Sequence, residues 1–409
     1  VIVSTLRNWW AKHYGTVLGI AIGLMVLAAP LRLGYESHRL LFEQSMEGAK
    51  DLRLRYDEVY RWFAGSSKYT EQTGKAALVY PPASYPMLWP FLGWLDFTKA
   101  RWLWAITTVL MIAWLVHIFL KESEASTPQE RAFIILLFLS TYPVNVTIGN
   151  GQLTVHLLAA LLGGILILEK ARAEWHRSLL AALLVLMSLV KPSIAAPFFW
   201  IVLFVSARLT VPLLVVIGYF LLSLLAASFQ ESGLITLLQD WMKDTQSVTG
   251  GYANLYIWLA ALGLKKWSSL MSVLLLLMLG IWTHRHRHDD LWRLLGVTAI
   301  VARFWTYHSL YDDLLILFPI IALFRIAKSG PRADARDVVA AVLLGFSSLA
   351  LFAPGTLYRL PAPWGLPFRT GQTIIWLLML FFLLYHQEIS SVNIKPKTTV
   401  EFSHQANSK

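Results

Sequence analysis

The run SLLAALLVLMSLVKPSIAAPFFWIVLFVSA, Ser178 to Ala207, is apolar almost throughout and is cut near its middle by Lys191-Pro192. Runs of about 15 to 20 apolar residues between short charged connectors recur along the chain, and they fit helices that cross a hydrocarbon core of about 30 Å. None shows the alternation of an outer-membrane barrel strand. The spans read from the sequence are 16–33, 101–120, 131–149, 152–169, 178–191, 193–207, 209–228, 267–283, 292–306, 311–328, 337–353 and 372–386, with 84–97 left over. That segment holds Pro86 and Pro90, and is short for a span. It reads as a re-entrant or broken helix, tolerable where protein or a cavity satisfies its backbone. The expectation is an all-α polytopic integral membrane bundle of about twelve transmembrane helices plus that short piece. It forms one domain over 1–392, with 393–409 a disordered cytoplasmic tail.

Composition points the same way. The chain is 56% hydrophobic and 14% charged, against about a quarter charged in a soluble domain. The net charge of +11 sits in connectors between apolar runs; it reads as membrane orientation and not as a nucleic-acid face. Cysteine is absent, which excludes disulfides, thiolate metal sites and a cysteine nucleophile. The 18 Trp and 15 Tyr suit anchoring at the two lipid-water boundaries. Thr16 to Leu31 is longer than a typical signal core and reads as a first span that stays. With the N-terminus, Lys170 to Arg177, His284 to Arg293 and Arg325 to Arg336 on the cytoplasmic side, the opposite side collects the loop 35–83, Gly149 to Gln152, Lys191-Pro192, Tyr307-His308 and the loop 354–370.

The loop 35–83 is polar, amphipathic in part, and carries Tyr56-Asp57-Glu58-Val59-Tyr60 before closing on Tyr80-Pro81-Pro82. Ionised side chains are costly in hydrocarbon, so reactive groups belong at such an interface. Asp57 reads either as a general base at a cavity mouth or as a solvated acid paired with Arg53, Arg55 or Arg61. Glu58 points to a different face. Lys191 either snorkels to the interface or meets a lipid phosphate. Asn150 and Gln152 supply amides at a tight turn, as sugar or phosphate contacts or as a plain hairpin. His308, with Tyr311 and Asp312, offers a phosphate contact; its spacing to Asp312-Asp313 matches no good metal-ligand motif.

These elements, in this order, resemble glycosyltransferase family 87, membrane mannosyltransferases of the GT-C superfamily that use polyprenyl-phosphate sugars. The matching residues are Asp57 with Val59-Tyr60, Tyr80-Pro81-Pro82, Gly151-Gln152, Lys191-Pro192, and His308 with Tyr311-Asp312. The chain departs from the pattern at Ser66 to Tyr69, where a Gly-x-x-Pro-Tyr turn is usual, and at Leu153-Thr154, where an Asn is common. The resemblance implies an inverting transfer of a hexose, mannose in most of the family, to a lipid or glycan hydroxyl outside a bacterial-type cytoplasmic membrane. It makes Asp57 the base and Lys191 and His308 the donor-phosphate ligands. Glu58, Tyr60, Tyr80, Asn150, Gln152, Tyr311 and Asp312 then line the substrates. Such a donor needs no diphosphate-chelating metal, so no cofactor is expected. The alternative is a transporter or flippase of lipid-linked sugars, which predicts paired broken helices; the sequence shows one Pro-broken segment.

Overall fold

A computed structural model of the 409-residue chain describes residues 2–66, 80–170, 174–205, 209–247, 254–328, 335–361 and 363–385. The expected tail 393–409 and the stretch from Ser67 to Tyr69 lie outside them. The described residues are helical, with no strand. The helices are α1 (Ile2–Leu41), α2 (Lys50–Phe63), α3 (Ser84–Leu92), α4 (Phe97–Glu122), α5 (Pro128–Ser140), α6 (Tyr142–Asn150), α7 (Thr154–Lys170), α8 (Trp175–Ser188) and α9 (Pro192–Ala195). They continue as α10 (Phe199–Phe204), α11 (Thr210–Ala227), α12 (Leu234–Ser247), α13 (Leu255–Ala261), α14 (Ser268–Arg285), α15 (Leu291–Phe304), α16 (Leu317–Ala327), α17 (Ala335–Phe352) and α18 (Gly365–Tyr385).

Length and apolarity suit five of these for crossing a membrane, or up to seven if each of two bent pairs counts as one span. The count of about twelve from sequence is therefore not reached by whole helices. Local chemistry explains the shortfall. Pro192 removes an N–H and restricts Lys191, so the run 178–207 breaks into α8 and α9–α10, bent by 117°. The run 131–149 breaks at Thr141, ahead of Pro143, into α5 and α6, bent by 45°. Other apolar runs become short inner helices of 14 residues (α15) and 11 residues (α16). At about 1.5 Å per residue neither is long enough to cross alone. The segment 84–97 yields only the nine-residue α3, which is likewise too short for a full crossing.

Burial sorts the helices into two shells. Every residue of α15 is buried, as expected of a helix that is enclosed on all sides. With α7 and α16 it forms the centre, and α1, α4, α11, α14 and α18 stand around it with exposed apolar faces. The connectors gather at opposite ends. At one end Lys170 pairs with Glu122, and Arg325 with Glu124 and Asp290. Most of the functional residues expected from sequence cluster around α2, α3, the α6–α7 turn and the 3-10 turn Leu310–Ile316, which joins α15 to α16.

Candidate active site

The site begins with the breaks in the helices. Lys191 is the last residue before α9, and Ser84 Oγ donates to Val190 O at 2.7 Å, tying the entry of α3 to this turn. Trp305 Nε1 donates to Ser193 O at 2.7 Å and draws the end of α15 to the same place. Lys191 Nζ then reaches Asp312 Oδ1 at 2.7 Å and lies 4.9 Å from the ring centre of Tyr311.

Asp312 organises the centre. It caps the 3-10 turn by accepting from Ser309 N at 3.1 Å, and Thr154 Oγ1 stands 3.4 Å from Oδ1. Its Oδ2 is 3.1 Å from His308 Nδ1. The His308 Nε2 atom is buried and has no hydrogen-bond partner among the described residues. Burial pushes the His308 imidazole down to about 4, against the pull of Asp312. Burial thus favours the uncharged ring, and Nε2 is its unpartnered atom.

Asp51, in the first turn of α2, closes the site from the other side. Two backbone features put it there. Ala49 N donates to Gly149 O at 3.2 Å. Gly151 adopts φ +66°, where a Cβ would stand 2.6 Å from Leu52 Cβ. The amide turn and α2 therefore touch at a place where only glycine fits. Burial pushes the Asp51 carboxyl up, while Gln152, Arg55, Asn150 and Lys191 pull it back. Its Oδ2 has no partner among the described residues. The charges of Asp51 and Asp312 both act on Tyr80, and Arg55 covers the Tyr80 ring at 4.3 Å.

The structure brings together Tyr80, Asn150, Gln152, Lys191, His308, Tyr311 and Asp312. Asp57 lies apart: at about 100° per residue it is about 120° round α2 from Asp51. It is half-buried, and Tyr60 is exposed. Glu58 shares the face of Asp51 and pairs with Arg55 at 2.6 Å. Sequence reading missed Asp51. Its signal was the spacing Asp51, Arg55, Glu58, Trp62, which places polar residues and an indole on one helical stripe. No three His, Cys, Asp or Glu side chains among the described residues converge as metal ligands.

A family model, glycosyltransferase family 87, matches residues 78–311, more than half of the chain. The chain belongs to glycosyltransferase family 87. No curated protein and no solved structure shows a match. As a family 87 member it is a membrane glycosyltransferase. The matched region includes Tyr80, Gln152, Lys191, His308 and Tyr311, and stops short of α2 with Asp51.

Proposed function

We propose that this family 87 glycosyltransferase is a GT-C type enzyme, in which the bent helix pairs and the short inner helices enclosed by longer ones make up a bundle of about twelve membrane segments. It moves a hexose, mannose by the resemblance, from a polyprenyl-phosphate donor to a lipid or glycan hydroxyl, with inversion. The site faces the extracytoplasmic side of the cytoplasmic membrane. The observation that carries this reading is the Lys191–Asp312–His308 cluster facing Asp51, a half-buried residue whose buried Oδ2 has no partner among the described residues.

In this reading Asp51 is the base, in place of Asp57. A carboxyl raised by burial accepts a proton more readily, which suits general base catalysis. The acceptor oxygen attacks the anomeric carbon as its proton passes to Asp51. The bond from that carbon to the phosphate oxygen breaks, and its electron pair leaves with polyprenyl phosphate. The leaving phosphate gains one negative charge, which Lys191 stabilises in a site preorganised by Asp312. His308 takes a proton from solvent when the donor phosphate binds, and donates it as a hydrogen bond to that phosphate through Nε2. Asn150, Gln152, Tyr80 and Tyr311 bind sugar hydroxyls. Glu58 and Arg55 hold the Tyr80 ring. No metal is needed, since a lipid monophosphate is already a good leaving group.

Transfer of radiolabelled mannose from a polyprenyl-phosphate donor to a lipid extract, unaffected by EDTA, is the expected result. A strict divalent-metal requirement would contradict it. The two bent helix pairs favour a second reading, a flippase of lipid-linked sugars. Donor movement across vesicles without any transfer would establish that reading instead.

A further inference from the structure

A polar cavity of about 340 Å³ lies between α1, α6 and the 3-10 turn Gly355–Arg359, outside the cluster described above. Its volume is within the range of ligand pockets, about 300 to 1,000 Å³. Arg32, Glu36, Arg39, Asn145 and Thr356 line it. Asn145 is 3% exposed and its Oδ1 has no partner among the described residues. One wall reaches the catalytic cluster: Arg39 Nη2 donates to Asn150 Oδ1 at 2.9 Å, and the Asn150 amide acts on Asp51.

Arg32 sets the character of this cavity. Its Nη1 donates to Ser140 O at 2.6 Å, and no carboxylate among the described residues pairs with it. A half-buried guanidinium whose hydrogen bond among the described residues goes to a carbonyl favours an anion, and its planar donors suit a phosphate. The same guanidinium lies 4.8 Å from the ring centre of Phe352. Phe352 lines a second, apolar cavity of about 250 Å³ between α1, α5, α16 and α17. Along α1 this groove runs from Tyr14 to Met25, about 17 Å at about 1.5 Å per residue. Groove, cation and polar cavity therefore follow one another along α1, ending at Arg39, which bonds the Asn150 amide that acts on Asp51.

We infer that this continuous site binds the acceptor, and that the acceptor is an anionic membrane lipid with a hydroxyl-bearing head. Its tail lies in the α1–α17 groove and its phosphate meets Arg32. The head reaches past Glu36, Asn145 and Arg39 to present a hydroxyl to Asp51. The inference rests on the proposed transferase reading, but its test reads binding and not turnover.

The protein is reconstituted in phosphatidylcholine nanodiscs and exposed to phosphatidylglycerol carrying a diazirine in its acyl chain, a probe with one negative charge and two hydroxyls. Photolysis should label α1 and α17, and diazirine-tailed phosphatidylcholine should label them at least tenfold less. Arg32→Gln keeps a donor for Ser140 O and should lower the labelling at least tenfold. Gly345→Phe should do the same by filling the groove, since a Cβ at Gly345 meets nothing within 4 Å. Equal labelling by both lipids, or unchanged labelling in both groove variants, would mean ordinary boundary lipid and overturn the inference. Competition by polyprenyl phosphate would assign the site to the donor and overturn it as well. Absence of sugar transfer with intact, head-selective labelling would count against the transferase reading alone.

Discussion

At the scale of single residues, the site depends on one carboxylate holding two cationic or potentially cationic groups. Asp312 is fully buried and bonds both Lys191 and His308. Removing one partner of such a pair leaves an uncompensated buried charge, at a cost of about 3 to 5 kcal/mol. Lys191→Ala should therefore lower the melting temperature and weaken binding of polyprenyl phosphate; unchanged donor affinity would return Lys191 to a snorkelling role. His308 gives a pH signature. Its imidazole is pushed down to about 4 by burial, so a phosphate that needs it protonated must bind together with a proton. Donor affinity should fall as pH rises, approaching about tenfold per pH unit where one proton is taken up. Isothermal titration in buffers of different ionisation enthalpy would count that proton, and a count of zero would remove His308 as a phosphate donor. The place of Lys191 at a helix break was legible in the sequence because Pro192 interrupts an apolar run beside it. Asp51 was not, because Asp51 and Asp57 sit in equally polar surroundings and only the packed face of α2 separates them.

At the scale of elements, α2 is set by its contact with the α6–α7 turn. Gly151→Ala would place a side chain at φ +66° and 2.6 Å from Leu52 Cβ. Left-handed strain of about 1 to 3 kcal/mol is then joined by a clash that pushes Asp51 away. Both stability and turnover should drop, as read by thermal unfolding and by transfer rate; a variant with native turnover would show that α2 is not positioned here. The buried face of α2 also titrates. Burial pushes Glu58 up from 4.5 to about 7, although Arg55 opposes the shift. The folded state then holds this proton more tightly than the unfolded chain, so stability falls as pH rises from about 4.5 to about 7 and levels off above. Glu58→Gln should flatten that slope in melting temperature against pH. The sequence marked the loop 35–83 as polar and amphipathic in part; its start, Glu36 to Leu41, extends α1, and Lys50 to Phe63 forms α2.

At the scale of the molecule, the all-helical, lipid-facing architecture follows from apolar run length, which sequence records directly. The number of crossings does not, because Pro143 and Pro192 end helices without marking whether the chain continues across or turns back. The inner helices α15 and α16 are enclosed by neighbours and need not match a bilayer in length. Sidedness can be measured cleanly, since the chain has no cysteine of its own. Thr356→Cys and Glu47→Cys, at exposed positions beside the polar cavity, should react with a membrane-impermeant maleimide on intact cells. Lys170→Cys, in the ion-paired end, should react only after permeabilisation. The reverse pattern would place the site on the cytoplasmic side.

The most direct test of the central claim is transfer of radiolabelled mannose from polyprenyl-phosphate mannose to a lipid extract by wild type, Asp51→Asn and Asp57→Asn in parallel. Product is expected from wild type and from Asp57→Asn, with a loss of about 10² to 10⁴ in rate for Asp51→Asn. Undiminished transfer by Asp51→Asn, with Asp57→Asn inactive, would contradict it.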